Sequence, residues 1–164
     1  MFNESNYQNL YKLKNILRKG WLDNKLPSFG LRCESDAEHI FSTMFMALNI
    51  IENKNLKLDK NKVLFMLLVH EVGECEVGDI TPFDGITVEQ KHELENKAVY
   101  NFSKQHNMPE IYSTWCEFEK RLTPEAKFCY AMDKLDAVMQ AKIYSSKMGR
   151  DELFNQFYKN SLDR

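Results

Sequence analysis

His70 and Glu71 stand side by side at the end of an apolar run, Val63–Val69, and Glu74 follows one helical turn later. Ionisable groups at the end of a buried segment are expensive to desolvate unless they are paired or bound to a metal. Imidazole beside carboxylate is a donor pair that suits a borderline or hard divalent cation such as cobalt, manganese, iron or magnesium. Two further residues draw attention because of the segments they occupy. His39 opens an amphipathic stretch, and Asp133 lies inside an otherwise apolar one. Each has a plainer alternative. His70 suits the negative end of a helix dipole, and Asp133 beside Lys134 suits a solvated helix face.

These groups need elements to hold them. Residues 4–18 place Tyr7, Leu10, Tyr11, Leu13, Ile16 and Leu17 at helical spacing, with a stop at Gly20 and Trp21 behind it. From there to Glu34, with Pro27, Gly30 and no period, the chain reads as a loop. Ser35-Asp36-Ala37-Glu38 has the form of a capping box, a hydroxyl followed three positions later by a carboxylate. Behind it Ile40, Phe41, Met44, Phe45, Leu48 and Ile51 draw one apolar face to about residue 53, with His39 beside it in the first turn. Asp59 caps a helix whose body, Val63–Val69, is apolar all round and therefore predicted to be buried on every side.

A loop follows over Gly78-Asp79-Ile80-Thr81-Pro82. Thr87 with Gln90 opens a charged helix to about residue 106, and a short helix covers 109–120. Thr123-Pro124 starts a helix to about Met148 that carries Asp133 and Asp136 among Phe128, Met132, Leu135 and Met139. A last short helix covers 151–159. No segment alternates like a strand for long. The expected fold is all-α, one domain over residues 1–164 with about six or seven helices.

Composition narrows the function classes. The length, 164 residues, suits one core, and 43% hydrophobic with 28% charged residues is an ordinary globular balance. A formal net charge of −2 gives no general attraction to nucleic acid polymers or anionic membranes, so an anionic ligand needs a local site. The run Val63–Val69 is far too short to span a bilayer. Cys33, Cys75, Cys116 and Cys129 are widely spaced without a C-x-x-C pair, which predicts reduced, mostly buried thiols in a cytoplasmic protein without a targeting segment. His92, within Glu89-Gln90-Lys91-His92-Glu93, reads as part of a solvated face, and His106 as a helix-end residue; neither is given chemistry.

Taken in order, several stretches resemble the HD superfamily of metal phosphohydrolases, and within it the 5′-deoxynucleotidase group. They are Arg18-Lys19-Gly20-Trp21, Glu34-Ser35-Asp36-Ala37-Glu38-His39, Leu68-Val69-His70-Glu71-Val72-Gly73-Glu74-Cys75, Val77-Gly78-Asp79-Ile80-Thr81-Pro82 and Asp133-Lys134-Leu135-Asp136. The resemblance implies a compact helical bundle, a homodimer, and removal of the 5′-phosphate from deoxynucleoside monophosphates. It makes His39, His70, Glu71 and Asp133 the ligands of a divalent cation, Glu74 the acid/base residue and Asp79 a second functional carboxylate at the substrate. Arg18 is then the phosphate-binding arginine, and Trp21 packs near the sugar. Read without the resemblance, Arg18 is equally a surface cation at a helix end and Trp21 a core anchor.

One position departs from the family. Its second histidine is followed by aspartate, whereas here Glu71 is one methylene longer. Metal–ligand distances vary by only about 0.2 Å, so the backbone or the ion has to shift, or the glutamate has to fold back. The alternatives are a nucleotide- or metal-binding relative impaired at Glu71, an HD hydrolase of another phosphoester, and a purely structural bundle.

Overall fold

The computed structural model describes residues 4–162, and among these it is helical with no strand. The helices are α1 (Glu4–Lys12), α2 (Lys19–Asp23), α3 (Asp36–Lys54), α4 (Lys60–Val69), α5 (Glu74–Val77), α6 (Val88–Gln105), α7 (Pro109–Lys120), α8 (Pro124–Met148) and α9 (Glu152–Leu162). None is long and apolar enough to cross a membrane. The all-α expectation holds. The number of helices exceeds six or seven because the short α2 and α5 occupy stretches read as loop or as helix continuation.

The predicted helix starts are where the capping chemistry put them. Ser35 Oγ accepts from Glu38 N, while Glu38 Oε2 accepts from Ser35 N at 2.8 Å. Thr87 and Gln90 close the same reciprocal pair at α6. Asp59 and Thr123 each accept a backbone N–H at the starts of α4 and α8. Such caps satisfy donors that the first helical turn leaves orphaned.

Three expectations need correction. The first helix ends at Lys12, not near Arg18. Its last turn tightens through Leu13 N to Leu10 O and Lys14 N to Tyr11 O bonds. The chain then straightens, because residues 34–36 satisfy its backbone. Leu17 bridges Ser35, Arg18 N donates to Glu34 O at 3.0 Å, and Asp36 N donates to Ile16 O at 3.0 Å. Second, α4 is not buried all round. Val63, Met66, Leu67 and Val69 are buried but Leu68 is 48% exposed, since α3, α7 and α8 cover only part of its circumference. Third, α3 buries Ile40, Thr43, Ala47 and Ile51 with His39, and turns Phe41 and Phe45 outward.

Helices α3, α4 and α8 pack against one another and form the centre of the molecule. Below the site, Ala47, Ile51, Val63, Met66, Leu67, Phe118, Cys129 and Met132 form one apolar cluster. A second, with Val69, Val72, Cys75, Val99 and Trp115, seats α5 and α6. A third gathers Trp21, Leu26, Cys33, Ala141, Tyr144 and Leu153. The site lies where these clusters meet. Cys33, Cys75 and Cys129 are buried thiols and Cys116 is partly so, all free.

Candidate metal centre and active site

Each of the three central helices delivers a donor to one point. His39 sits in the first turn of α3, His70 is the C-cap of α4, Glu71 follows it, and Asp133 lies mid-way along α8. Ligand atoms from all four lie within 4.8 Å of one another. His39 Nε2 is 3.3 Å from Asp133 Oδ1 and 3.9 Å from Glu71 Oε1, and His70 Nε2 is 3.7 Å from the same Glu71 oxygen.

The outer ring nitrogens are already committed. His39 Nδ1 lies 2.7 Å from Asp136 Oδ2, and His70 Nδ1 donates to Leu67 O at 2.7 Å. Both Nε2 atoms therefore face the cluster, buried and without a hydrogen-bond partner. Two buried, unpartnered imidazole nitrogens aimed at two carboxylates are costly as a purely structural device. They fit a divalent cation. Orientation of a ligating imidazole by a carboxylate or carbonyl on its far nitrogen is the usual supporting arrangement.

Charge in the cluster is strongly biased. Burial lowers the pKa of His70 and keeps it neutral, as a ligand must be. Burial and Arg18 oppose the charge of His39, yet the nearby carboxylates of Asp133 and Asp136 outweigh them and raise its pKa to about 9. Burial also opposes ionisation of Asp133, but Lys134, His39 and His70 hold it well below the usual carboxylate range. Lys134 Nζ donates to Asp133 Oδ2 at 2.8 Å, so the neighbour suspected of marking a solvated face instead pairs with a buried carboxylate. Glu71 is likewise held ionised against burial, chiefly by Arg18, whose Nη1 donates to Glu71 Oε1 at 2.7 Å.

Beside this cluster is a second carboxylate group, Asp36, Glu74 and Asp79, also with ligand atoms within 4.8 Å. The expectation that Glu74 shares a helix face with His70 is not met. Residues 70–73 turn, and Glu74 begins the separate helix α5. Burial, then Glu71, Asp79 and Asp36, push the Glu74 pKa well above its ordinary value, and burial raises Asp36 to about 6. Neither oxygen of Asp36 has a donor in reach. Two such carboxyls side by side are satisfied by sharing a proton. Asp79 is partly exposed, and its Oδ2 accepts from Lys19 N at 2.6 Å, capping α2.

Trp21 is packed as a core side chain. It is 2% exposed, stacked on Phe157 at 4.4 Å between centroids, and its Nε1–H donates to Glu34 Oε1 at 2.8 Å. Tyr144 meets the indole edge-on at 5.3 Å between centroids, so the core-anchor reading describes its packing. Arg18, by contrast, points at Glu71, with Glu74, Asp79 and Asp133 also within electrostatic range. His92 stacks on Trp115 and meets Glu119, and His106 packs against Phe102, both away from the metal cluster.

Four groups at the site carry no role in the sequence reading. Asp136 orients His39; its signal was the i,i+3 spacing from Asp133, which puts both on one face. Glu34 stands behind that pair within the Glu34–His39–Asp136 group. Asp36 was visible only as part of a capping box. Lys91, placed on a solvated face, instead turns inward and donates to Ile80 O at 2.8 Å.

The sequence matches the HD domain family over residues 10–164. The chain belongs to that family. This HD domain is 31% identical over 156 residues to a 5′-deoxynucleotidase HDDC2 of Xenopus laevis, covering 93% of the chain and 74% of the relative. The human protein of the same name is also 31% identical, covering 93% and 73%. Among solved structures, a conserved hypothetical protein from Pyrococcus furiosus superimposes with a TM-score of 0.78 at 28% identity, over 96% of this chain and 86% of that one.

Proposed function

We propose that this HD domain is a metal-dependent phosphohydrolase that releases phosphate from deoxynucleoside 5′-monophosphates, as the names of its relatives indicate for those proteins. The observation that carries the reading is the pair of buried, unpartnered Nε2 atoms of His39 and His70 converging on Glu71 and Asp133. These four residues would hold a divalent cation, of the cobalt, manganese, magnesium or iron kind. When bound there, it supplies Lewis-acid activation of water and charge neutralisation at phosphorus.

The chain's own groups divide the remaining work. Arg18 offers a planar, permanently charged fork to the phosphate oxygens. Glu74, kept protonated by burial and by its acidic neighbours, holds the proton that the 5′-oxygen leaving group needs. Asp79, partly exposed at the mouth, is placed to accept from a sugar hydroxyl. The net charge of −2 leaves substrate capture to this local site. Glu71 reaches the cluster despite its extra methylene, but the oxygen it presents is also the one Arg18 holds. Carrying over what the family resemblance implies, we read the working unit as a cytoplasmic homodimer. The outward Phe41 and Phe45, 72% and 64% exposed one turn apart on α3, are apolar surface that such a pairing would cover.

Phosphate release from a panel of deoxy- and ribonucleoside 5′-monophosphates tests this, using metal-stripped protein resupplied separately with cobalt, manganese, magnesium or zinc. Metal-dependent release is expected, and Glu74→Ala should lower it by roughly 100-fold or more, the usual worth of a general acid, while metal content stays unchanged. A silent wild type that Glu71→Asp awakens would identify a binding relative disabled at one position. Silence from every variant with no bound metal would leave a structural bundle.

A further inference from the structure

The segment that carries Asp79 is tied on two sides. Toward α2 it makes three polar contacts: Asp79 Oδ2 with Lys19 N, Thr81 Oγ1 with Asp23 Oδ2 at 2.9 Å, and Asp84 with the Lys19 ammonium. Toward α6 the described hydrogen bonds include one tie, from Lys91 Nζ to the carbonyl of Ile80. Lys91 is itself steadied by Glu95, one turn on, at 3.4 Å. The backbone of Glu95 lies close over Gly73, where an added Cβ would stand 3.4 Å from its carbonyl oxygen. The Lys91 side chain is 36% exposed, with its ammonium directed at the Ile80 carbonyl and toward a group of acids. Glu95, Glu71, Glu74 and Asp79 all act on it electrostatically. An ammonium pays for such a position in lost hydration and stem freedom, and a surface helix offers many cheaper ones.

We propose that Lys91 is a positioning residue for the nucleotide: by holding the Ile80 carbonyl it fixes the peptide next to Asp79 and so aims that carboxylate at the substrate. The inference rests on the reading of Asp79 given above. Lys91 is not required to touch the phosphate. Gly78, at φ 76° in the left-handed region, lets the chain leave α5 sharply. Beyond that turn, the segment's aim depends on these two anchorages, and removing the α6 one leaves Asp79 with the described polar ties to α2.

Lys91→Met keeps the stem and removes the donor, whereas Lys91→Arg keeps a donor of similar reach. With manganese-loaded protein and a deoxynucleoside monophosphate, Lys91→Met should raise KM about tenfold, the loss of one charge-assisted hydrogen bond. The change in kcat should be small, with melting temperature and calorimetric manganese affinity unchanged, and Lys91→Arg should recover most of the KM. In a cycle with Asp79→Asn, the double variant should bind no worse than Asp79→Asn alone. Additive losses would overturn the proposal, because they would mean that Lys91 acts on the substrate directly. A second measurement does not depend on turnover. Amides of residues 78–84 should exchange with deuterated solvent faster in Lys91→Met than in wild type, and equal exchange would overturn the proposal. A wild type without phosphatase activity but with faster exchange in the variant would refute the nucleotidase reading while upholding Lys91's hold on the loop.

Discussion

Asp136 orients the imidazole of His39 through a 2.7 Å contact, with the histidine fully buried. Replacing Asp136 with asparagine removes the charge that fixes which nitrogen carries the proton. Manganese affinity measured calorimetrically is expected to fall roughly 10- to 100-fold, the usual cost of losing such a support, with the fold intact by circular dichroism. Unchanged affinity would show that Thr43 and the helix alone orient the ring. At this scale much was legible in the sequence. His39, His70, Glu71 and Asp133 stand out by type and spacing, and the structure brings them together. Asp36 and Lys91 were not legible for a physical reason. A residue on a capping turn or a charged helix face has a sufficient local explanation, and its inward turn depends on groups far away in the chain. Trp21 shows the opposite difficulty: a large aromatic near a predicted site is as readily a wall of the core as of the pocket.

At the scale of elements, the junction between α5 and α6 is set by a glycine. Gly73 has helical dihedrals, so alanine there would ordinarily gain up to about 1 kcal/mol from a less flexible unfolded chain. A Cβ would, however, stand 3.0 Å from Val99 Cγ2 and 3.4 Å from Glu95 O. Val99 is fully buried and the other contact is backbone, so neither yields easily. Overpacking of this kind costs about 1–3 kcal/mol, and Gly73→Ala is expected to be destabilising by about 1 kcal/mol in urea unfolding. A stabilised variant would mean that α6 moves freely over α5. The helix starts were read well because capping is local chemistry. The end of α1 was missed because the bonds that straighten residues 16–18 come from residues 34–36, which no helical period reveals. The outward turn of Phe41 and Phe45 was missed for a related reason: an apolar stripe indicates a face, and the packing partners decide which edge of it is covered.

For the molecule as a whole, the three central helices meet at ionisable groups as well as at an apolar cluster, which ties stability to pH and to metal. His39 has an ordinary pKa of 6.5 and about 9 when folded. Its protonation therefore stabilises the metal-free fold fully below pH 6.5, and that contribution is lost as pH rises through 9. His70, with its pKa lowered, binds its proton mainly in the unfolded chain, so near pH 7 it offsets a small part of the His39 slope and by about pH 8 it adds none. Chelator-treated protein should thus melt at progressively lower temperature between pH 7 and 9.5. Added manganese should offset this, since a cation needs His39 deprotonated; at a free concentration 100 times its Kd it contributes about 2.7 kcal/mol. A chelated protein with a flat profile across that range would contradict the charged state of His39.

The ion pair between Arg18 and Glu71 has a consequence for binding at the site. Arg18 Nη1 holds Glu71 Oε1, and that same oxygen is the one nearest the two imidazole nitrogens. A cation held by the four proposed ligands would share that oxygen with the guanidinium and would weaken the ion pair, leaving Arg18 freer to turn toward a phosphate. If the site works as proposed above, cation and nucleotide would then be heterotropically coupled: by linkage, each would strengthen the other by the same factor. The longer side chain at position 71 gives that carboxylate the reach to serve both roles.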